Sequence, residues 1–255
     1  MYEQALIPPC HQQGYFLPFH RLILHAHETL LREECGYRGA QPYWDESPEA
    51  GNFTSSSVFS ATTGFGGDGS REAGTVTWTL GVIHHSAGCI IDGPFKDYRL
   101  RIGPGMDNQE HCISRSISNT ASRGSSIENV IQCMNMKNFA TAWPCLERNP
   151  HHGGHRGVGG EMWNPYSSPG DPLFYLHHAW LDKLWWDWQS RNLGVRVLDI
   201  TGRKKMSDSV ATKDVVALGD VLNMMGVVPN ATVRDVMDLN GRRLCVEYEA
   251  PPPRN

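Results

Sequence analysis

The segment that begins at Asp171-Pro172 constrains the fold more than any other part of the sequence. Asp is a favourable N-cap residue and Pro is favoured at the first helical position, so the pair predicts the start of a helix. Ring-bearing and apolar side chains then recur on one helix face, at Phe174, His178, Leu181, Trp185 and Trp188. We therefore expect a helix that ends near Gly194 and places a histidine on its apolar face.

Two further helices are predicted upstream. Residues 16–35 repeat apolar side chains at helical intervals, and Gly36 is a favourable stop. Residues 127–143 are the other candidate, because Pro144 bounds them on the C-terminal side.

Loops are expected to separate these helices. Residues 46–75 are rich in Ser, Thr and Gly, which predicts a long loop with short ordered pieces at most. Residues 76–130 mix short apolar runs with Gly, Pro and Asn, which predicts mostly irregular structure. In the tail, residues 195–198 and 244–248 contain β-branched residues and predict short strands.

The composition is that of a globular protein. The chain has 255 residues, of which 40% are hydrophobic and 20% charged, and its net charge is −4. This charge gives no reason to expect a nucleic-acid or anionic-membrane partner, and no apolar run is long enough to span a bilayer. The length suits one packed domain, with or without an appendage.

Cysteine usage indicates an oxidising compartment. Seven cysteines are dispersed without a CxxC pair, which favours disulfides over a zinc ribbon, although buried free thiols are also common. Sequons begin at Asn52 and Asn230. The N-terminus has no signal-peptide pattern. We expect a secreted, disulfide-bonded glycoprotein whose leader lies outside this sequence.

The chain is rich in histidine, with twelve in total, and their placement suggests a metal site. His11 and His20 flank the start of the first predicted helix, and His151 and His155 are four residues apart. Two histidines at this spacing on a helix can chelate one metal ion, and imidazole suits copper, zinc, iron and nickel. Spacing alone does not select the metal. We expect a surface or loop role for His84, His85 and His111.

Two long motifs resemble the copper signatures of the tyrosinase and polyphenol oxidase family. The first runs from His11 through the sequence Phe-Leu-Pro-Phe-His-Arg, which ends at Arg21, to Glu28 on the same helix. It is similar to the copper A signature. The second runs from Asp171 through His178 to Asp182 and is similar to the copper B signature. Shorter segments resemble the short ascomycete polyphenol oxidases, so the resemblance covers about residues 10–192.

The resemblance implies a fold and a cofactor. The fold is mainly α, with a four-helix-bundle binuclear copper core, long irregular loops and a short C-terminal tail with minor β structure. Residues 1–194 are expected to form the copper domain, and residues 195–255 an extension that packs on it. The implied cofactor is two copper ions in a type-3 site, and the implied partners are a phenolic substrate and O2.

The resemblance also assigns roles to individual residues. The implied metal ligands are His11 and His20 for copper A, and His151, His155 and His178 for copper B. His177 is expected to have a structural role next to a ligand. The implied catalytic residues are Glu147, which can hold a water near the metals, together with His152 and Arg156. The implied supporting residues around the ligands are Arg21, Phe174 and Asp182. The aromatic residues Trp163, Trp180, Trp185 and Trp186 are expected to pack mainly in the core.

The sequence departs from the family pattern in its copper A half. The family's first copper A ligand lies well upstream of the second, but no histidine precedes His11 here. His25 and His27 are candidate substitutes, and a start of the chain further upstream is another explanation. Cys10 directly precedes His11, which is not the usual offset for a thioether link, so we expect none.

The implied activity is the oxidation of o-diphenols to o-quinones with O2, extending to o-aminophenols and to weak monophenol oxygenation. Two alternatives remain open. One is a truncated product that is inactive or holds only the copper B ion. The other is oxygen binding of the hemocyanin type.

Overall fold

A computed structural model describes residues 11–249 of the chain. The fold is mainly α, as expected, and the helices supply the histidine-bearing core. The helices are α1 (Phe16–Cys35), α2 (Asn119–Ser122), α3 (Ile127–Met134), α4 (Phe139–Leu146), α5 (His152–Val158), α6 (Leu173–Ser190), α7 (Leu193–Arg196) and α8 (Val233–Met237). A π-helical turn, Glu147–His151, joins α4 to α5 without a break.

Short antiparallel sheets lie beside the helices. The strands are β1 (Gly69–Leu80), β2 (Ile83–Ile90), β3 (Arg99–Leu100), β4 (His111–Cys112), β5 (Ser114–Arg115), β6 (Val221–Leu222) and β7 (Ala231–Thr232). They form one sheet of order β1-β2-β5 and two two-stranded sheets, β3-β4 and β6-β7.

The ends of the two long helices follow the predicted signals. Gly36 adopts φ 66°, and its N–H bonds to the carbonyl oxygen of Leu31, which closes α1 where the glycine stop was predicted. At the start of α6, a carboxylate oxygen of Asp171 accepts the N–H of Leu173 at 3.0 Å. Both helix predictions are confirmed, although α6 ends at Ser190, before Gly194.

Several secondary-structure predictions were wrong. A β-hairpin replaces the loop and irregular structure expected over residues 69–90, and pairs Gly69 with Ile90 and Leu80 with Ile83. The cause is strand pairing, which compensates for low local propensity through cross-strand contacts. The helix predicted over 127–143 is two helices, and Pro144 lies inside the second, in its last turn.

The two strands predicted in the tail were also wrong. Residues 193–196 form a short helix, and residues 244–248 are not in a strand. The tail strands instead pair Val221 with Thr232 and Leu222 with Ala231. Isolated β-branched residues specify a strand only where a partner strand is available.

One large hydrophobic core joins the main helices to the tail. It contains Phe19 of α1, Leu146 of α4 and Trp185 of α6, together with Val233 and Val236 of α8. Residues after 194 thus bury apolar side chains against the helices. The division into 1–194 and 195–255 stays a prediction. Three tryptophan side chains of α6 are buried in this core: Trp180, Trp185 and Trp188.

Two disulfides cross-link the fold. Cys89–Cys112 joins β2 to β4, and Cys133–Cys145 joins α3 to α4. Cys35 and Cys245 are exposed free thiols, and Cys10 lies outside the described residues. Within residues 11–249, no helix is long and apolar enough to cross a membrane. Secretion and glycosylation stay predictions.

Candidate metal centre

The five histidines predicted as ligands converge inside the helical core. The ring centroids of His11 and His20 are 5.5 Å apart, and those of His11 and His151 are 5.3 Å apart. The rings of His20 and His178 stack at 4.1 Å, and those of His151 and His155 meet edge-on at 4.5 Å. They come from the segment before α1, from α1, from the π-helical turn, from α5 and from α6. Residues far apart in sequence thus form one cluster of imidazoles.

Backbone carbonyls fix the orientation of three of these rings. Nδ1 of His20 and Nδ1 of His151 lie 2.7 and 3.2 Å from the carbonyl oxygen four residues earlier in the chain. Nδ1 of His155 is hydrogen-bonded to the carbonyl oxygen of Met162. A carbonyl accepts only, so each Nδ1 carries the proton and each Nε2 keeps its lone pair. This is the arrangement that metal-binding histidines usually have.

The remaining nitrogens suit a metal ion. Nε2 of His155 and Nε2 of His178 are 3.2 Å apart. Two nitrogens that bind one metal tetrahedrally at 2.0–2.1 Å are separated by about 3.3 Å. Nε2 of His20 and Nε2 of His151 are buried and have no hydrogen-bond partner within the described part of the chain. Buried polar atoms are normally satisfied, so these two lone pairs fit a group that the protein itself does not supply.

The site keeps its imidazoles neutral. Burial lowers the pKa of His20 well below its usual value, and the neighbouring His11 lowers it further. Burial also lowers the pKa of His151, His155 and His178, and neighbouring histidines add to the effect. A neutral imidazole is the form that binds a metal, so the site is prepared for one at neutral pH.

Aromatic packing holds the ligand ring on α6. The ring of Phe174 lies 4.2 Å from that of His178, and it is also within 6.2 Å of the ring of His20. Phe174 is one helical turn before His178 and is almost completely buried. The structure thus places Phe174 against the ring of His178, which is a predicted copper B ligand.

A buried ion pair ties α1 to α6 beside the cluster. Nε of Arg21 and a carboxylate oxygen of Asp182 are 2.5 Å apart, and both side chains are buried. Arg21 also donates to the carbonyl oxygens of Val236 and Met237 in α8. The hydroxyl of Tyr248 donates to the second oxygen of Asp182 at 2.7 Å. Arg21 and Asp182 each follow a predicted ligand, so this network fixes the two ligand-bearing helices and the tail together.

Glu147 and His152 line a cavity next to the cluster. The cavity has a volume of about 480 Å³, and its wall also includes Gln12, Trp143 and Arg203. Burial raises the pKa of Glu147 to about 7, while the backbone N–H of Gln12, at 2.7 Å, opposes that shift. Burial lowers the pKa of His152, and so does the nearby Arg156 guanidinium. The cavity therefore presents a carboxyl and an imidazole beside the predicted ligands.

Arg156 lies outside this cavity. Its guanidinium sits over the ring of Trp163, 5.2 Å from the centroid, and lines a separate cavity. The structure therefore places Arg156 near His152 but not in the cavity that Glu147 and His152 line. Trp163 also faces the ring of His152 edge-on at 5.9 Å.

The candidate substitutes for a missing ligand also lie elsewhere. The ring of His27 stacks on Tyr175 at 3.6 Å, and its Nδ1 is 2.8 Å from the amide oxygen of Gln41. His25 lines a cavity formed with the tail. Neither ring joins the cluster. Among the other histidines, His84 and His85 are in β2 of the hairpin, and His111 is in β4.

A clamp from the tail holds the segment that contains His11. Arg203 donates from Nε to the carbonyl oxygen of Gln12 at 2.7 Å, and from Nη2 to its side-chain oxygen at 3.1 Å. The N–H of Gly14 bonds to the carbonyl oxygen of Arg203. A Cβ at Gly14 would lie 2.2 Å from the carbonyl oxygen of Thr201, so only glycine permits this approach.

Glu46 was not predicted from the sequence as part of this site. Its carboxylate is buried, and Oε1 lies 2.5 Å from Nδ1 of His177. Burial raises the pKa of Glu46 and lowers that of His177 to about 3. A ligand atom of His177 lies within 4.8 Å of those of His151, His155 and His178. Glu46 is 131 residues from His177 in sequence. No spacing pattern connects the two residues, so only the fold reveals the pair.

Comparison with known proteins agrees with this site. A family model, the common central domain of tyrosinase, matches residues 2–191, which include all five predicted ligands. This chain belongs to the tyrosinase family. The family resemblance drawn from the two histidine motifs is thereby confirmed.

Relatives of known sequence are tyrosinase-like proteins of ascomycetes. The tyrosinase-like protein phomQ1 of Diaporthe leptostromiformis is 33% identical over 257 residues, covering 94% of this chain and 64% of that protein. Tyrosinase ustQ of Aspergillus flavus is 34% identical over 251 residues, covering 94% of this chain and 65% of that protein. The chain thus spans slightly less than two thirds of the length of these relatives.

A solved structure shares the fold. A single-site mutant of a polyphenol oxidase from Thermothelomyces thermophila superimposes with a TM-score of 0.82, covering 97% of this chain and 76% of that one. The sequence identity is 24%, so this similarity concerns the fold. It supports the mainly α architecture.

Proposed function

We propose that this protein oxidises o-diphenols to o-quinones with O2 at a binuclear copper site. The observation that supports this most is the cluster of buried imidazoles whose free nitrogens converge between α1, α5 and α6. The family membership supports copper as the metal. Activity on o-aminophenols and weak oxygenation of monophenols are part of the proposal.

The proposed ligands divide into two groups. His11 and His20 would hold copper A, and His151, His155 and His178 would hold copper B. Two copper ions held there would supply the two-electron chemistry that links each diphenol to O2. The balance is two diphenols and one O2 to two o-quinones and two waters, so each diphenol loses two electrons and two protons. The protein supplies spacing, access and polarity.

The cavity beside the cluster is the proposed substrate entrance. Trp143 and Pro144 give it an apolar wall that suits an aromatic ring, and Glu147 and His152 give it polar groups. The imidazole of His152 is able to accept a proton from a phenol, since a neutral histidine is a base near neutral pH. The carboxyl of Glu147 is proposed to hold a water at the same place.

Copper content measured together with catechol oxidation tests the proposal directly. We expect about two coppers per chain by elemental analysis, and turnover of catechol with O2 uptake. The ligand set of this sequence is short of one copper A histidine, so the metal count is the critical number. One copper or none, without turnover, contradicts the proposal. Two coppers with reversible O2 binding and no turnover favour a hemocyanin-type role.

The clamp on the His11 segment yields a second test. Replacing Arg203 with alanine removes both hydrogen bonds to Gln12 and leaves His11 less well positioned. We expect the affinity for copper A to fall roughly tenfold, which is the lower end of the range for residues that orient ligands. The affinity for copper B is expected to stay unchanged. Copper per chain at limiting metal is the measurement. Lys205→Ala, two residues further along and exposed, is the control. An equal loss of both coppers contradicts this role for the clamp.

A further inference from the structure

A buried acid–imidazole pair lies directly behind the predicted copper B ligands. Oε1 of Glu46 and Nδ1 of His177 are 2.5 Å apart, and both side chains are completely shielded from solvent. The other carboxylate oxygen of Glu46 accepts a hydrogen bond from the hydroxyl of Ser125 at 2.7 Å. The proposed oxidation assigns no role to Glu46 or Ser125.

Stability alone is a poor reason for such a pair. Removing a carboxyl group and an imidazole from water costs several kcal/mol, and an apolar pair of similar size is often as stabilising or more so. The polar pair must therefore be explained by what it contacts.

Its contacts reach all three predicted copper B ligands. The ring centroid of His177 is 4.7 Å from that of His155 and 5.0 Å from that of His178. The hydroxyl of Ser125 lies 3.2 Å from the carbonyl oxygen of the residue before His151. The pair thus joins the loop after α1 to both ligand-bearing segments.

Two glycines between the ligands make room for this pair. A Cβ at Gly154 would lie 2.3 Å from Nδ1 of His177 and 2.6 Å from Oε1 of Glu46. A Cβ at Gly153 would lie 2.3 Å from the backbone nitrogen of Ser125. Glycine is unfavourable in a helix relative to alanine. Close approach of the Glu46–His177 pair to Gly154, and of the Ser125 backbone to Gly153, explains the two glycines between His151 and His155.

The two ring nitrogens of His177 have different environments. Nδ1 is engaged by Glu46, whereas Nε2 is buried and has no hydrogen-bond partner in residues 11–249. A ligand atom of His177 also falls within 4.8 Å of those of His151, His155 and His178. We propose that Glu46 and His177 are positioning residues for copper B. Glu46 fixes the His177 ring, which packs against His155 and His178 and holds their Nε2 atoms at the spacing a metal needs. This inference rests on the proposed copper site.

Metal affinity of the metal-free protein tests the inference without using catalysis. Glu46→Gln keeps the size of the side chain but removes its charge and one acceptor. We expect Zn²⁺, titrated against a chromophoric chelator, to bind site B about 10- to 100-fold more weakly, the range for residues that orient ligands. Site A is expected to be unchanged. Ser125→Ala is expected to act in the same direction with a smaller effect, and it decides the question if Glu46→Gln does not fold.

The chain offers a matched control. Nε2 of His111 and a carboxylate oxygen of Glu161 form another buried pair, 3.2 Å apart, away from the cluster. His111→Gln is expected to lower the melting temperature while leaving both Zn²⁺ dissociation constants within about twofold of the wild type, since it removes no group that contacts the ligands.

Three outcomes overturn the inference. Unchanged affinity at site B is one, and equal weakening of both sites in parallel with the melting temperature is another, since that indicates a purely structural role. The third is an X-ray absorption spectrum of copper-loaded His177→Gln that shows one imidazole fewer at copper than in the wild type. That result would identify His177 as a ligand. Failure of the wild type to bind any metal instead contradicts the proposed copper site itself.

Discussion

Replacing His178 with alanine is expected to empty one half of the metal centre and abolish diphenol oxidation. Its Nε2 lies 3.2 Å from that of His155, and its ring is stacked on His20 and packed by Phe174. The copper content should fall from about two to about one per chain. Catechol turnover should fall by more than about 100-fold, which exceeds the loss expected when a residue only orients a ligand.

The control for this change is His84→Ala. His84 is an exposed histidine in β2, with its Nδ1 3.1 Å from the hydroxyl of Thr79. We expect normal copper content and turnover in this variant, because the side chain is remote from the cluster. Normal copper content and turnover in His178→Ala would show that the assignment of the α6 ligand is wrong.

Replacing Asp171 with alanine is expected to cause the largest loss of stability. Its carboxylate forms a bidentate pair with Arg115 at 2.8 and 3.0 Å, and neither side chain is exposed. Arg115 also donates to the carbonyl oxygens of residues 65–67. Removing one partner of a buried pair leaves an uncompensated charge and costs about 3–5 kcal/mol. The variant also loses the cap on the N–H of Leu173.

Thermal unfolding of the metal-free protein measures this effect. A loss of 3–5 kcal/mol corresponds to a fall in melting temperature of roughly 6–20 °C for a chain of this size. Asp187→Ala is the control, since its pair with Lys183 on the same helix is partly exposed and is worth about 0.5 kcal/mol. A shift for Asp171→Ala no larger than that of the control would mean that the buried pair does not anchor α6.

Helices α1 and α6 were predictable because their signals are local. The Asp-Pro start of α6, the glycine stop of α1 and the helical spacing of apolar side chains all act within a few residues. No helix was predicted for the segment of His151 and His155, where glycines lower the local propensity. Family resemblance then added copper and the assignment of each histidine.

The hairpin was not predictable in the same way. Residues 69–90 look irregular because Gly, Ser and Thr dominate their first half, and their order comes from pairing with each other and with β5. Such pairing depends on partners that a local pattern does not specify. The division of 127–143 into two helices was missed because no Pro or Gly marks the break, which lies at residues 135–138.

The supporting groups of the site depended on the fold even more. Glu46 reaches His177 across 131 residues, Arg115 reaches Asp171 across 56, and Arg203 reaches Gln12 across 191. In each contact, a single side chain from a loop, a strand or the tail bonds to a residue that is distant in sequence. No periodicity marks such a residue.

The sequence by itself determined the positions of α1 and α6, and its resemblance to a known family indicated the helical class and the five histidines that converge. Tertiary structure alone decided that these imidazoles come together, that Arg156 lies outside the cavity of Glu147 and His152, and that Glu46 pairs with His177. The physical reason is range. Helix signals and motif spacing act between near neighbours, whereas the burial, orientation and pairing of polar groups arise only when distant segments pack together.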